Sequence, residues 1–473
     1  MTELIYWSAT ETLAHFRAKE VSPVEVLDAT AARIAEVDGR INAFSEQMLD
    51  EARDAAQASE RRYAAGEPAG ALDGLLVAAK DEHVIEGRAD RMGSLLTDDR
   101  PADHSHPVIE RVRAAGGIIH GRTTTPEFTL PPFTHSALWG VTRNPWNLDV
   151  TPGGSSGGSA AALAAGMATV ATGSDIGGSI RIPASLCGVV GFKSPMGRIP
   201  ADAPFNQDTY CTDGALARTV ADAALMQNVL AGPHARDQVS LRPAYILPDT
   251  FEGVEGMRIA LCVELGDFVV ERAIEENTRR AANLLEEAGA IVEEVTLPWR
   301  RGDIGAVAAA HLGRLAGEAL LHLPEAAHEL LMPYTREFSS RVSAAAGALS
   351  LAETFLGETE LYRPYGELLS RFDALICPTW PTQGLPAGED LVDVMLDVEG
   401  HRQTWHEQVM TIPFNILSTV PVLSVPSGLA PNGVPTGVQI AGRSFDDITP
   451  FRVGAALESA QDLWGSKSWR PTL

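Results

Sequence analysis

Three residues of this chain have types and settings suited to acyl-transfer chemistry: Lys80, Ser155 and Ser179. Ser155 stands in Thr151-Pro-Gly-Gly-Ser-Ser-Gly-Gly-Ser-Ala-Ala, and Ser179 follows 24 residues later in Gly173-Ser-Asp-Ile-Gly-Gly-Ser-Ile-Arg-Ile-Pro. Hydroxyls on so glycine-rich a backbone are candidate nucleophiles. The amides of Ile176, Gly177, Gly178 and Ser179 could converge on one point, which suits an oxyanion hole beside its own nucleophile. Loss of one such donor typically costs about 2.7–4 kcal/mol of barrier. The competing readings are a plain glycine turn for the second cluster and a Gly/Ser linker for the first. A linker is flanked by polar sequence, whereas this one runs into apolar Ala160-Ala-Ala-Leu-Ala-Ala.

A serine nucleophile needs a base, and neither cluster contains a histidine; His83 is near Lys80, while His401 and His406 lie far downstream. Gly153-Gly-Ser-Ser-Gly fits the G-x-S-x-G pattern formally, but the strand that must feed such an elbow is replaced by the loop-like Asn144-Pro-Trp-Asn-Leu-Asp. No Lys-Ser/Thr pair closes the glycine run, which excludes a phosphate-binding loop. Lys80 is the better base. It ends the apolar run Leu75-Leu-Val-Ala-Ala, and burial favours the neutral amine by up to about 3–5 pKa units in fully buried cases. The alternative is a snorkelling lysine, or one paired with Asp81.

The elements that must position these residues alternate along the chain. Residues 9–60 read as helices, with a capping box and helix-favouring proline at Ser22-Pro-Val-Glu25. Gly74–Lys80 and Ile118–Arg122 read as strands separated by a helix over Val108–Ala115. Further strands are expected at Met257–Val263, Ala290–Leu297 and Asp373–Thr379. Pro421–Pro426 and Gly437–Gly442 form another pair, joined by a Pro431-Asn-Gly turn. Helix and strand in alternation predict an α/β fold, a mixed central β-sheet covered by helices on both faces. A single domain over residues 1–473 is expected, with a variable, mostly helical segment at about 303–370 serving as scaffold or as one wall of a pocket.

The 473 residues are 45% hydrophobic and 21% charged, with a net charge of −25, so no cationic footprint for direct nucleic-acid binding is present. Cys187, Cys211, Cys262 and Cys377 form no paired spacing, and read as reduced thiols rather than a zinc site or disulfide frame. Neither a signal peptide nor a membrane-spanning run is expected, and the chain reads as cytoplasmic.

Taken together, Val77-Ala-Ala-Lys-Asp, Gly-Gly-Ser-Ser-Gly-Gly-Ser-Ala and Gly173-Ser-Asp-Ile-Gly-Gly-Ser-Ile-Arg-Ile-Pro-Ala resemble the amidase signature family of serine hydrolases. The spacings agree, with 75 residues from Lys80 to Ser155. So do Thr124-Thr-Pro-Glu-Phe, Arg143-Asn-Pro-Trp-Asn, Cys187-Gly-Val-Val-Gly-Phe-Lys and Gly433-Val-Pro-Thr-Gly-Val-Gln-Ile. The resemblance spans about residues 20–230 and 370–460. It implies a Ser-cisSer-Lys triad of Ser179, Ser155 and Lys80. Ser179 attacks the carbonyl carbon, Ser155 relays the proton to and from Lys80, and water later hydrolyses the acyl-enzyme. It also implies a cis peptide bond from Gly154 to Ser155, and supporting roles for Ser156 and Arg181. Two departures are Leu76, where the family usually has proline, and Lys193-Ser-Pro195 in place of Lys-Pro-Thr.

By the same resemblance the loop after Pro126 lines the acyl pocket, making Thr129 and Leu130 candidate substrate-binding residues. The apolar Leu130-Pro-Pro-Phe133 points to a stand-alone amidase of small uncharged amides, with aryl amides or carbamates (urethanes) as candidates. No cofactor, metal or nucleic acid is expected, and a homodimer is left open. The alternative within the same superfamily is the glutaminase component of a tRNA-dependent amidotransferase. A catalytically dead binding module is disfavoured by the intact Lys80, Ser155 and Ser179.

Overall fold

The computed structural model describes residues 3–317, 320, 322–461, 463 and 469–473. Eleven short runs of sequence join one sheet: β1 (Phe44–Gln47), β2 (Leu76–Lys80), β3 (Ile118–Thr123), β4 (Val170–Asp175), β5 (Val190–Lys193), β6 (Thr212–Ala217), β7 (Arg258–Leu261), β8 (Ile291–Glu294), β9 (Ala374–Pro378), β10 (Val422–Leu429) and β11 (Pro435–Ala441). Their spatial order is β1-β3-β2-β4-β6-β5-β10-β11-β9-β7-β8. The sheet is mixed. β2 runs parallel to both β3 and β4, β7 runs parallel to β8 and β9, and the remaining neighbours are antiparallel.

Helices flank this sheet, among them α1 (Pro23–Ile41), α2 (Pro107–Ala114), α3 (Gly157–Ala164), α4 (Arg181–Cys187), α5 (Arg272–Glu287), α6 (Arg301–Leu312), α7 (Pro333–Ala348) and α8 (Leu351–Leu369). Local chemistry explains their ends. Ser22 and Glu25 form the expected reciprocal capping box at the start of α1, Pro23 opens it, and Asn42 in the left-handed conformation ends it. Val26, Leu27, Ile34, Val37 and Ile41 then bury one face of α1, each contributing about 1.5–3 kcal/mol on the scale of fully buried aliphatic side chains. The described residues of 303–370 include helices α6, α7 and α8.

Four strands, β1, β4, β5 and β6, depart from the sequence reading. β1 interrupts the region expected to be helical throughout, pairing antiparallel with β3 at the sheet edge. β4 and β6 fall in segments for which no strand is expected, because VATGSD and TDGALA carry only Val170, Thr172 and Thr212 as β-branched residues and no aromatic ring. Their small side chains serve packing instead, and every residue of both strands is buried. The pairing of β2 with β4 sets Val77 beside Val170 and Ala78 beside Ala171, so the C-terminal ends of these strands lie side by side. That common end carries Lys80 and the turn to Ser179, where ligands of open α/β sheets gather.

Candidate active site

Lys80 closes β2 with its side chain fully buried, and its Nζ lies 2.9 Å from Ser155 Oγ and 2.7 Å from Ser174 Oγ. Ser155 precedes α3, and the peptide bond from Gly154 to Ser155 is cis. A Cβ on Gly154 would sit 2.6 Å from the Phe133 amide nitrogen and 2.7 Å from the Pro131 carbonyl oxygen, so only glycine fits between this turn and the loop after Pro126. Ser179 follows β4 on the turn into α4. The Ser156 N–H donates to the Ser179 carbonyl at 3.2 Å, which ties the two serine loops together. Ser179 faces a cavity of about 590 Å³ that Gly154, Ile176 and Gly177 also line, whereas Ser155 and Lys80 lie behind it.

An ion pair builds the Ser179 turn. Arg181 is fully buried and donates through Nε and Nη2 to Asp175 at 2.9 Å each, and also to Thr411 O, Gln439 Oε1 and Asn415 Oδ1. Burial would push the Asp175 carboxyl up, but Arg181 and Asn415 outweigh it and hold it down at about 2. Asp175 Oδ1 accepts the Gly178 N–H at 2.8 Å. This corrects the expected oxyanion hole: Gly178 is committed to Asp175, leaving the amides of Ile176, Gly177 and Ser179 as candidate donors. Gly178 keeps a geometric role. Its φ is +123°, and a Cβ there would fall 2.0 Å from Thr411 Oγ1.

Thr129 and Leu130 line the cavity as expected, beside Phe128, Pro131 and Pro132. The helical segment supplies the opposite wall through Ala308, Leu312, Phe338, Arg341 and Val342. Buried Glu127 fastens the two walls, since its Oε2 accepts the Met332 N–H at 2.8 Å and its own N–H donates to Tyr334 Oη at 2.8 Å. Ser156 Oγ donates to Ser174 O at 3.4 Å, within the core of the site.

The sequence reading missed the carboxylate beside Lys80. Asp81, the expected candidate, turns away to Arg122 at 2.9 Å and to Trp139 Nε1, and Glu82 Oε2 sits 2.9 Å from Lys80 Nζ instead. Asn415, Gln439 and Glu127 were also given no role; Glu127 and Gln439 stand in stretches that carry the family resemblance, while nothing local marks Asn415. Among the described residues, His83, His106 and Asp213 form the one group whose ligand atoms could hold a metal, all within 4.8 Å of one another. His106 Nδ1 accepts the Val108 N–H at 3.2 Å as the cap of α2, which leaves the proton of the neutral ring on Nε2, facing Asp213 Oδ2 at 3.5 Å. Metal binding would require His106 to give up the cap or that proton.

Burial holds His106 down at about 4, against the pull of Asp213. A histidine that must stay neutral when folded stabilises the protein fully above its ordinary value of 6.5, and the contribution is lost as pH falls through about 4. His106→Asn keeps a good cap for α2 and removes the titration. Thermal melts should show the drop in Tm between pH 7 and acid narrowing by about 2–4 °C in the variant.

The comparisons with known proteins agree with this geometry. The Amidase family model matches residues 25–449. The chain belongs to the amidase signature family. It is an amidohydrolase by that membership. In structure it is similar to a bacterial aryl acylamidase of the amidase signature family, with a TM-score of 0.88, 30% identity and 97% of each chain covered. It is also similar to the A subunit of glutamyl-tRNA(Gln) amidotransferase from Thermotoga maritima, with a TM-score of 0.75 and 27% identity over 97% of this chain and 94% of that one. In sequence it is 34% identical to the A subunit of glutamyl-tRNA(Gln) amidotransferase from Anaeromyxobacter dehalogenans (strain 2CP-C), covering 96% of each chain.

These relatives overturn the expectation of a stand-alone amidase for small uncharged amides, aryl amides or carbamates. Curated proteins named as amidotransferase A subunits match over nearly the whole length at up to 34% identity. The expected partners, a small molecule alone with no nucleic acid and at most a homodimer, fall with it. Net charge bears only on nucleic acid that a chain touches itself and is silent on any that another component of a complex would hold. The apolar Leu130-Pro-Pro-Phe133 does not discriminate between substrates, because a methylene chain packs on the same apolar wall as an aryl ring. No helix among the described residues is long and apolar enough to cross a membrane.

Proposed function

We propose that the chain is the glutamine-hydrolysing component of a tRNA-dependent amidotransferase. The observation that carries this reading is the similarity to named A subunits over 96–98% of the chain. Ser179 attacks the side-chain amide carbon of glutamine, and its proton passes through Ser155 to Lys80. The amides of Ile176, Gly177 and Ser179 receive the developing oxyanion. The proton returns through the same relay to the departing ammonia, and water then releases glutamate from the acyl-enzyme. In this reading the whole chain acts as one catalytic domain in the cytoplasm, consistent with its four free cysteines.

The cavity supports an anionic end on the substrate. Among the described residues that line it, Arg341 is the one guanidinium or ammonium, and no carboxylate joins it. The glutamine α-carboxylate is assigned to Arg341, while Thr129, Leu130 and the neighbouring apolar wall pack the methylenes. The test is ammonia release from glutamine by the chain purified from its native source together with whatever proteins accompany it. Hydrolysis dependent on the complex and stimulated by glutamyl-tRNA(Gln) is expected. Arg341→Gln should raise KM for glutamine about 10- to 100-fold with labelling of Ser179 intact. A chain that purifies alone, ignores glutamine and cleaves a simple nitroanilide would sink the reading.

A further inference from the structure

We infer that Glu82 is a positioning residue for Lys80, aiming the lone pair of the amine at Ser155 and setting the pH range in which the relay works. The geometry is a closed set of donors and acceptors. Lys80 Nζ has three oxygen neighbours: Ser155 Oγ at 2.9 Å, Ser174 Oγ at 2.7 Å and Glu82 Oε2 at 2.9 Å. The Ser174 hydroxyl donates to Glu82 Oε2 at 2.5 Å, so its oxygen is left to accept from Lys80.

A neutral amine has two N–H bonds and one lone pair. With Ser174 and Glu82 both accepting, the two N–H bonds are spent on them, and the lone pair is left for the Ser155 hydroxyl. Without the carboxylate, the amine could rotate its lone pair toward Ser174, and Ser155 would lose its acceptor. After Ser155 gives up its proton, all three neighbours accept from the ammonium, and Glu82 balances the charge that has arrived. Atoms and charge are conserved throughout: the proton moves from Ser179 to Ser155, from Ser155 to Lys80, and back along the same path to the leaving group.

Glu82 is not an isolated charge. His83 on the same turn donates from Nε2 to Asp213 Oδ1 at 2.9 Å, and its Nδ1 meets Thr172 Oγ1, which also accepts the Lys80 N–H. His106 faces Asp213 from the start of α2, and Asp90 and Cys211 also lie close enough to Glu82 to feel its charge. Burial pushes the Glu82 carboxyl up, while the Lys80 ammonium, His83 and the Ser174 donor pull it down, and the balance lies below the ordinary carboxylate value.

The test avoids any choice of substrate, so its failure is distinct from failure of the glutaminase reading. It measures the rate of Ser179 labelling by a fluorophosphonate as a function of pH, which needs only proton removal from Ser179. An opposite charge within hydrogen-bond range favours an amine's charged form by about 1–3 pH units. Glu82→Gln should therefore move the acid limb of the labelling profile to lower pH by about 1–3 units and lower the plateau roughly tenfold. Glu82→Asp restores the charge and should return the limb to its wild-type position. Ser174→Ala keeps the carboxylate, and should lower the plateau with the limb in place; it carries the test should Glu82→Gln fail to fold. A limb unmoved in folded Glu82→Gln, or one displaced as far by Ser174→Ala, overturns the assignment.

Discussion

Ser179→Ala should lower turnover on the order of 10⁶-fold and abolish covalent labelling by a fluorophosphonate, while Lys80→Ala should cost roughly 10²–10⁴-fold. The asymmetry follows from position. In the proposed mechanism Ser179, which lines the cavity, supplies the atom that bonds to the acyl group, so its loss removes that atom. Lys80 lies fully buried behind Ser155 and in the same mechanism acts only on the proton. With Lys80 gone, Ser155 still fills its place and the candidate oxyanion amides remain, so part of the rate enhancement survives. Active-site titration with the fluorophosphonate checks both variants at once: none of the Ser179→Ala protein should label, and Lys80→Ala should label slowly to completion. Full activity in Ser179→Ala would remove the triad assignment altogether.

The residues to which this chemistry is assigned stand out in the sequence because their signals are local. A lysine after five apolar residues and two serines in glycine clusters are signals contained within short windows, and the structure brings Lys80 and Ser155 within 2.9 Å. The strand behind Lys80 was legible for the same reason. What stayed hidden depends on distant contacts. Gly214 lies in β6 because a Cβ there would meet the Phe192 carbonyl oxygen at 2.5 Å, a fact about β5 that no window around Gly214 contains. Glu82 adjoins Asp81 in sequence, and the sequence offered no means of telling which of the two turns toward the amine. That choice is made by Arg122 on β3, which claims Asp81. The amidotransferase reading stood in the sequence only as the alternative, because motifs shared across the whole family do not rank it against a stand-alone amidase.

Asp175→Ala should be the most damaging change outside the triad, and its damage should appear in stability and in activity. Asp175 and Arg181 are both fully buried and share two hydrogen bonds, so removing the carboxylate strands a guanidinium in the core. Breaking a buried pair on one side costs about 3–5 kcal/mol, mostly through the charge left behind. Thr411, Gln439 and Asn415 still accept from Arg181, which places the expected loss toward the lower end of that range. The turn suffers separately, because the Gly178 amide loses its acceptor and the neighbouring amides of Ile176, Gly177 and Ser179 lose their alignment. Turnover should fall on the order of 10²–10³-fold, the scale of losing an oxyanion donor. Asp175→Asn separates the two effects. An amide oxygen can still accept from Gly178, so most of the activity should return, while the missing charge leaves most of the stability loss in place. Denaturant unfolding and labelling rates on the pair of variants read the two terms independently, and equal activity losses in both would show that charge, rather than the hydrogen bond to Gly178, shapes the turn.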